Sequence, residues 1–579
     1  MLILEISLGM VEEGNFFNLW YTRLERLLVI DGSGTEPMVR VVNLFYWLFS
    51  LAFSGTIIAF LAAKIASFIE DLKKGHSSVI DVNHYVIIGW NATIFKVFDE
   101  IRIANENQLK PTVLCFNSMD NIEMNAKINL EYPNRKNIRI ITRSGDIYSS
   151  QDLARTNMTK AKAVIVLDDN LTSNFNVETT ILAVKINISK ARIPVIAQMS
   201  ENVNIELINN IFAQQVYPIH KNKIIANVTA QSIRNKHISA IVLDFLDYDG
   251  DEIYFFPADK LAGCSYKTAM LALNDVTLIG IKQANSSVHL NPDKNYLIKN
   301  DDLLVVIAED DDVEVNIDLG SDKMLEQIQI SSDCIINKET ISMLVLGWSE
   351  LGQHIVQQAL PFLSMDSNLH IAYNDDLVKE KPKVVDGNNV PNKIENIKGD
   401  ELNMLNKILT NNVFDVIMIL GYNDIQSPEI SDTNSLLLNS YIQSILSKQN
   451  QKQKSNTRII VQLTDGSKEG LIESNSYNEL IVSDTLSSLV ITQLADNPSL
   501  WHVFEELFSD SGLKICVSPF SDYNSMIAPN QISVKDLILL ALEKNQTFIG
   551  FVYQDKLNLN PPKSTEIIID ESLFLVYLA

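Results

Sequence analysis

Residues 41 to 63, running from Val41 through Phe45, Trp47, Phe53 and Phe60 to Ala63, carry no charged side chain between Arg40 and Lys64. As a helix rising about 1.5 Å per residue the run reaches about 34 Å, enough to cross a hydrocarbon core of about 30 Å. Lipid offers the backbone no hydrogen-bond partners, and a helix satisfies them internally. The run begins too far from Met1, and is too long, for the apolar part of a signal peptide. A buried core helix of this length ordinarily carries a polar stripe, so a membrane span is the expectation. Helical spacing continues at Ile65, Phe68, Ile69 and Leu72, and the helix is expected to leave the membrane and deliver force to the soluble part of the chain.

A chain of 579 residues is too long for one core, and about three to five domains or lobes are expected. The net charge of −24 argues against nucleic acid as a partner, because phosphates demand a basic face, and favours cations. Four cysteines, Cys115, Cys264, Cys334 and Cys516, have no metal-ligand spacing and read as thiols of a reducing compartment. Lys64, Lys73 and Lys74 come after the span, while acids outnumber bases before it, which places the large C-terminal part in the cytoplasm.

Ahead of the span, Phe16 to Ile30 has apolar residues at helical spacing and runs into Asp31-Gly32-Ser33-Gly34-Thr35. A short helix, a glycine-rich turn bearing a carboxylate and then a membrane helix is the order of a re-entrant pore loop, and equally of an extracellular turn rich in small residues.

From Asn83 onward short apolar strands alternate with helices: His84–Gly89, Pro111–Asn117, Ile138–Thr142, Ala163–Leu167 and Pro194–Gln198 are separated by helical stretches. This is the pattern of an α/β fold with a doubly wound parallel sheet. Such sheets bind ligands beyond the carboxyl ends of their strands, where Gly89-Trp90-Asn91-Ala92-Thr93-Ile94 keeps only the first glycine of the dinucleotide fingerprint and Asn117 replaces the ribose-binding acid. No nucleophile, base or metal triad accompanies the site, and the chain is not expected to be an enzyme.

The unit then recurs after about 250 to 265 residues. Leu344-Val-Leu-Gly347-Trp348-Ser349 repeats the first glycine turn, Gly399-Asp400 repeats Gly145-Asp146, Phe414–Leu420 the fourth strand and Arg458–Gln462 the fifth. Gly352 restores one glycine of the fingerprint in the second copy. Between the copies, Ile238 to Asp311 reads as a small mixed domain with strands at Ile241–Leu246, Ile253–Phe256, Thr277–Lys282 and Leu303–Ala308. Its acids Asp244, Asp247, Asp249, Asp251 and Glu252 surround Gly250 and could donate several oxygens to a divalent cation or form a solvated turn. Residues 375–395 and 424–457, rich in Lys, Asp, Asn, Gln and Ser, read as flexible insertions. Asp484 is placed as the N-cap of a helix, and the two helices spanning Asp484 to Phe508 suit docking between domains or subunits, or packing within one lobe. A last mixed unit ends in Ser572–Tyr577.

Set side by side, these pieces resemble the CASTOR/POLLUX family of cation channels and its bacterial relatives, whose cytoplasmic parts are tandem RCK (regulator of potassium conductance) domains. The resemblance rests on Asp31-Gly-Ser-Gly-Thr, on Leu72-Lys-Lys-Gly75 and then Asn83-His84-Tyr-Val-Ile-Ile-Gly-Trp90, on Gly347-Trp348, and on Ser483-Asp484 to Glu505-Glu506-Leu507-Phe508. It implies a membrane pore loop and inner helix ahead of two Rossmann-like RCK domains, each with a small α+β lobe. Residues 1–37 would hold a partial outer helix, pore helix and filter loop, 38–75 the inner helix and linker, 82–235 and 236–335 the first RCK domain, and 340–510 and 511–579 the second. Asp31, Gly32, Ser33 and Gly34 would line the filter, without the Thr-Val-Gly-Tyr-Gly potassium signature. Gly89, Trp90, Asn91, Asp146, Gly347 and Gly352 are the candidate nucleotide contacts, and Asp168, Asp169, Asp247, Asp249 and Asp251 the candidate cation ligands, with Ca²⁺ or a nucleotide as gating ligand.

The family further implies a homotetramer in lipid that conducts cations, in the inner membrane if the chain is bacterial, with its RCK domains cytoplasmic. Of the family's outer helix only Met1–Met10 could be present, which leaves a misplaced start codon, a truncated gene or a regulatory subunit with a vestigial pore. A ligand-gated cation channel or channel subunit is the leading expectation. The alternative is a membrane-tethered, TrkA-like regulator that senses nucleotide or calcium for another transporter.

Overall fold

Helix α1 runs unbroken from Pro37 to Lys73. Phe45, Leu48, Phe49, Phe53, Ile58 and Phe60 along it are all exposed, so its surface is apolar without a face packed in a core. The hydroxyls of Ser54 and Thr56 donate back to the carbonyls of Ser50 and Ala52, which removes the cost of carrying them into lipid. Among the described residues it is the one helix long and apolar enough to cross a membrane, over Trp47–Glu70. The computed structural model describes residues 37–106, 110–168, 176–189, 191–199, 208, 210–211, 215–248, 250–284, 287–310, 316–317, 340–383, 390–399, 401–448, 457–472, 478–508, 512–523 and 531–579. Asp31, Gly32, Ser33, Gly34, Asp169 and Asp249 lie outside them.

The soluble part begins with β1 (Tyr85–Ile88), α2 (Thr93–Ala104), β2 (Thr112–Asn117), α3 (Asn121–Glu131), β3 (Arg139–Ser144), α4 (Ser150–Ala154), β4 (Ala163–Val166), α5 (Val177–Ile188), β5 (Val195–Gln198) and β6 (Val216–Ile219). These six strands form one parallel sheet in the order β3-β2-β1-β4-β5-β6, the Rossmann order. Strands β1 and β4 are buried along their whole length because helices cover both faces of a parallel sheet, and this is why they read as unbroken apolar runs. Helices α6 (Lys221–Arg234) and α7 (Ile238–Leu246) come next. Beyond them lie β7 (Glu252–Pro257), α8 (Tyr266–Ala272), β8 (Thr277–Lys282), β9 (Val288–Leu290) and β10 (Leu303–Ala308), an antiparallel sheet of order β7-β10-β8-β9.

The second unit repeats the plan with β11 (Ser342–Leu346), α9 (Glu350–Ala359), β12 (Asn368–Tyr373), β13 (Asn392–Asn396), α10 (Glu401–Asn411), β14 (Val416–Ile419), α11 (Pro428–Leu446), β15 (Arg458–Leu463) and β16 (Asn478–Val482). Its sheet is again parallel, in the order β13-β12-β11-β14-β15-β16. Helices α12 (Ser483–Asp496) and α13 (Trp501–Phe508) lead to β17 (Ile515–Pro519), β18 (Gln531–Ser533), α14 (Val534–Glu543), β19 (Thr547–Tyr553), β20 (Lys556–Leu559), β21 (Glu566–Ile568) and β22 (Leu573–Leu578). The two antiparallel lobes share one core, in which Tyr266, Leu278 and Val306 pack with Leu537, Phe548 and Leu575.

Three expectations need correction. Residues 241–246 belong to helix α7, not a strand: Ile238, Ile241, Val242, Phe245 and Leu246 are its buried positions, a helical period within a run short enough to pass for a strand. The segment 424–457 is not an insertion; it contains the 19-residue helix α11. Its buried face includes Ser431, Asp432, Ser435 and Asn439, and the Asp432 carboxylate accepts the backbone N–H groups of Thr464 and Asp465 at 2.9 and 3.0 Å. Likewise, part of 375–395 supplies β13, an edge strand whose sequence Asn-Lys-Ile-Glu-Asn has the polarity that sheet edges use against unwanted pairing.

Candidate functional site

In a sheet of this order the ligand crevice opens beyond the ends of β1 and β4, where the chain connections diverge. Gly89 turns the chain there with a φ of +96°, open to glycine at little cost, and Trp90 is buried against Phe95. The Asn91 side chain occupies the mouth. Its Oδ1 accepts the backbone N–H of Thr93 at 3.0 Å. Its Nδ2 donates to the Asp168 carbonyl at 2.9 Å and to Gln198 Oε1 at 3.0 Å. One amide thus caps the start of α2 and ties it to the ends of β4 and β5, on the ground a pyrophosphate takes in a dinucleotide site. Asp146 is used locally, its carboxylate accepting the Tyr148 N–H at 2.9 Å, and the Asp168 side chain is exposed.

The second crevice is built on the same logic with different residues. Gly347, at φ +82°, lies so close to β14 that a Cβ would stand 2.2 Å from the Leu420 carbonyl oxygen. Gly352 gives room to the Leu420 side chain, 2.8 Å from where a Cβ would be, so this glycine serves helix–strand packing. Asp424 accepts the Glu350 N–H at 2.9 Å and caps α9, while Asn423, in the loop after β14, reaches Gln462 at 3.5 Å; the glutamine on the fifth strand is again engaged by an asparagine, but from a different loop than Asn91.

The two sheet units meet along helix α12. Asp484 lies in the first turn of α12, with Val482 in the capping position, so it does not cap the helix. Its carboxylate instead crosses to the first unit, accepting Lys221 Nζ at 2.6 Å and Thr93 Oγ1 at 3.1 Å, from the first residues of α6 and α2. At the other end Asp496 pairs with Lys162 at 2.7 Å and accepts the hydroxyls of Tyr85 and, at 3.4 Å, Tyr248. Burial first, and then the Asp496 charge, push both phenols above the ordinary tyrosine range. Between these anchors Leu486, Leu489, Val490 and Leu494 are buried, each contributing about 1.5–3 kcal/mol relative to exposure. Gln493 donates to the Leu246 carbonyl and to Glu252, and Trp501 Nε1 to the Pro218 carbonyl at 3.4 Å. Both helices therefore dock between the two units. Their apolar faces were legible in the sequence; their partners, more than 200 residues away, were not.

Residues 81–224 match the family described as the calcium-activated potassium channel slowpoke-like RCK domain, and residues 222–320 match that described as "Castor and Pollux, part of voltage-gated ion channel". Ion channel CASTOR of Lotus japonicus is 24% identical over 559 residues, covering 89% of this chain and 65% of that protein. The probable ion channel POLLUX of Oryza sativa subsp. japonica is 24% identical over 583 residues, covering 93% and 59%. This chain is similar to the CASTOR and POLLUX ion channels. It spans about three fifths of the length of the curated relatives it matches. In fold, the chain is similar to the human SLO3 gating ring, at a TM-score of 0.57 and 13% identity over 86% of this chain and 98% of that one. The first sheet unit is the one that the RCK family model matches, and the second repeats its strand order.

The CASTOR/POLLUX-matching segment contains helix α7 and the acidic turn after it. Among the described residues no three acids, histidines or cysteines converge as metal ligands, and Asp251 is engaged by Asn560 Nδ2 at 3.0 Å. Asp247 ends α7. Burial, reinforced by Asp251 and Asp247, pushes Asp244 up to about 6. A carboxyl raised on folding favours the folded state below its unfolded value, and that advantage is lost as pH rises through the folded value. Asp244→Asn is therefore expected to raise the melting temperature at pH 8, by about 1 kcal/mol of stability for a half-exposed group, and the gain should vanish by about pH 4. Thermal scans at the two pH values check this.

Proposed function

We propose that the chain is a subunit of a ligand-gated cation channel, assembled as a homotetramer in a membrane with its RCK domains in the cytoplasm. The observation that carries this reading is the exposed apolar helix α1, which ends at Lys73, twelve residues before the first strand of the first of two sheet units. Its relatives are named ion channels, and RCK domains that change their mutual arrangement can pull on helices that continue into them. The duplicated unit, locked by α12, supplies an element with defined ends on which a ligand can act. The turn Asp31-Gly32-Ser33-Gly34 would form the filter, with one carboxylate per subunit drawing cations to the axis. Cation selectivity is also favoured by the net charge of −24.

The test is cation flux into liposomes carrying the purified chain. Native protein should admit monovalent cations, and Asp31→Asn should lower the flux several-fold while leaving the melting profile unchanged. Equal flux with and without protein, at matched incorporation, would instead favour a membrane-tethered regulator of another transporter.

A further inference from the structure

Far from both crevices, a cavity of about 470 Å³ opens where the end of α6 meets the second unit. Its wall from the first domain is the α6–α7 corner, with Arg234, Lys236 and His237; its wall from the second is Arg458 at the start of β15 and the β19–β20 hairpin, with Gln554 and Asp555. The volume lies in the range of small-molecule sites. Arg458 is held in place by donating to the carbonyls of Ser232 and Ile233, with the buried carboxyl of Glu479 nearby. The side chains of Arg234 and Lys236, by contrast, make no hydrogen bond or ion pair with any described residue. Among the described residues the only carboxylate lining the cavity is Asp555, 3.9 Å from His237 Nε2, and burial holds that imidazole below its ordinary value.

Arg234 and Lys236 face this volume with Asp555 as its one lining carboxylate, while Arg458 is set against Glu479; in a chain with a net charge of −24 that is a local reversal of sign. Like charges gathered around an open volume repel one another unless an anion is shared between them, and guanidinium groups match phosphate oxygens two at a time. We propose that this cavity binds a soluble phosphate-bearing small molecule of two or more negative charges, held by Arg234 and Lys236 with Arg458 beside them, between the two sheet units. Because the walls come from both domains, the ligand stabilises their present arrangement by mass action. Binding is independent of the transport reading; only a consequence for gating rests on it.

Isothermal titration of inorganic pyrophosphate, and separately of ATP, into the detergent-solubilised full chain without added lipid tests the site. The native chain should give saturable binding, and Arg234→Ala/Lys236→Ala should weaken it at least about ten-fold, the loss of charge-assisted contacts. Lys236 is exposed, so Lys236→Glu alone should preserve the native melting profile and still weaken binding. Absence of saturable binding of either probe, or equal affinity in the native chain and Lys236→Glu, would overturn the proposal. In a second arm with phosphatidic acid added to the micelles, loss of pyrophosphate binding that controls insensitive to Lys236→Glu do not show would mark the lipid headgroup as the occupant and overturn the assignment to a soluble ligand. Failure here leaves the flux result untouched, and the converse holds as well.

Discussion

Gly347→Ala should unfold the second sheet unit while the first retains its structure. The new methyl group would stand 2.2 Å from the Leu420 carbonyl oxygen, a backbone atom of the neighbouring strand, and the residue would keep a φ of +82°. Neither can be relieved by turning a side chain. The left-handed conformation alone costs about 1–3 kcal/mol, and separating β11 from β14 to clear the clash breaks the centre of the sheet, where Met343 to Leu346 pair with Val416 to Ile419. We expect a total of about 4 kcal/mol or more, among the largest effects a single methyl can have. Hydrogen exchange, read domain by domain, should show protection lost in β11, β12 and β14 and kept in β1, β2 and β4. Native-like protection throughout would show that the strand can give way, which a paired central strand should not.

The second large effect is expected at Asp484. This carboxylate is 5% exposed and accepts from Lys221 and Thr93, so Asp484→Ala strands a partly buried ammonium and a hydroxyl together. Removing one partner of such a pair costs about 3 kcal/mol, more than the pair itself contributes. The loss falls on the contact between domains. Both sheets should stay folded while exchange accelerates at the starts of α2 and α6 and along α12. Asp484→Asn, which keeps an acceptor but not the charge, should fall between the two. If alanine changed nothing at α2 and α6, α12 would be held by its apolar face alone.

Where the sequence was transparent, the reason is burial on both faces. Val86 to Ile88, Val164 to Val166, Leu344 to Leu346 and Ile417 to Ile419 are apolar because helices cover them from either side, and their repetition reveals the duplication before any coordinates. Where it was opaque, buried polar residues had replaced the expected pattern. Helix α11 buries Ser431, Asp432, Ser435 and Asn439, so its periodicity is invisible to a hydrophobic reading, although the same residues hold the loop after β15 through Asp432. Helix α7 had a legible signal, its buried positions falling at i, i+3, i+4, i+7 and i+8, which six residues taken in isolation do not display. The glycine turns were correctly located, but Asn91 illustrates why position alone does not define a ligand site: its amide takes up the carbonyl and the glutamine that face the crevice. The contacts of Asp484 and Asp496 depend on residues more than 200 positions away, and no local rule reaches that far.

The most direct measurement is single-channel recording from planar bilayers into which the purified full-length chain has been incorporated. Discrete current steps should appear, with a reversal potential that tracks the cation gradient when salt is made unequal across the membrane. Bilayers that remain silent although labelling proves the chain to be inserted through α1 would exclude conduction by this chain alone.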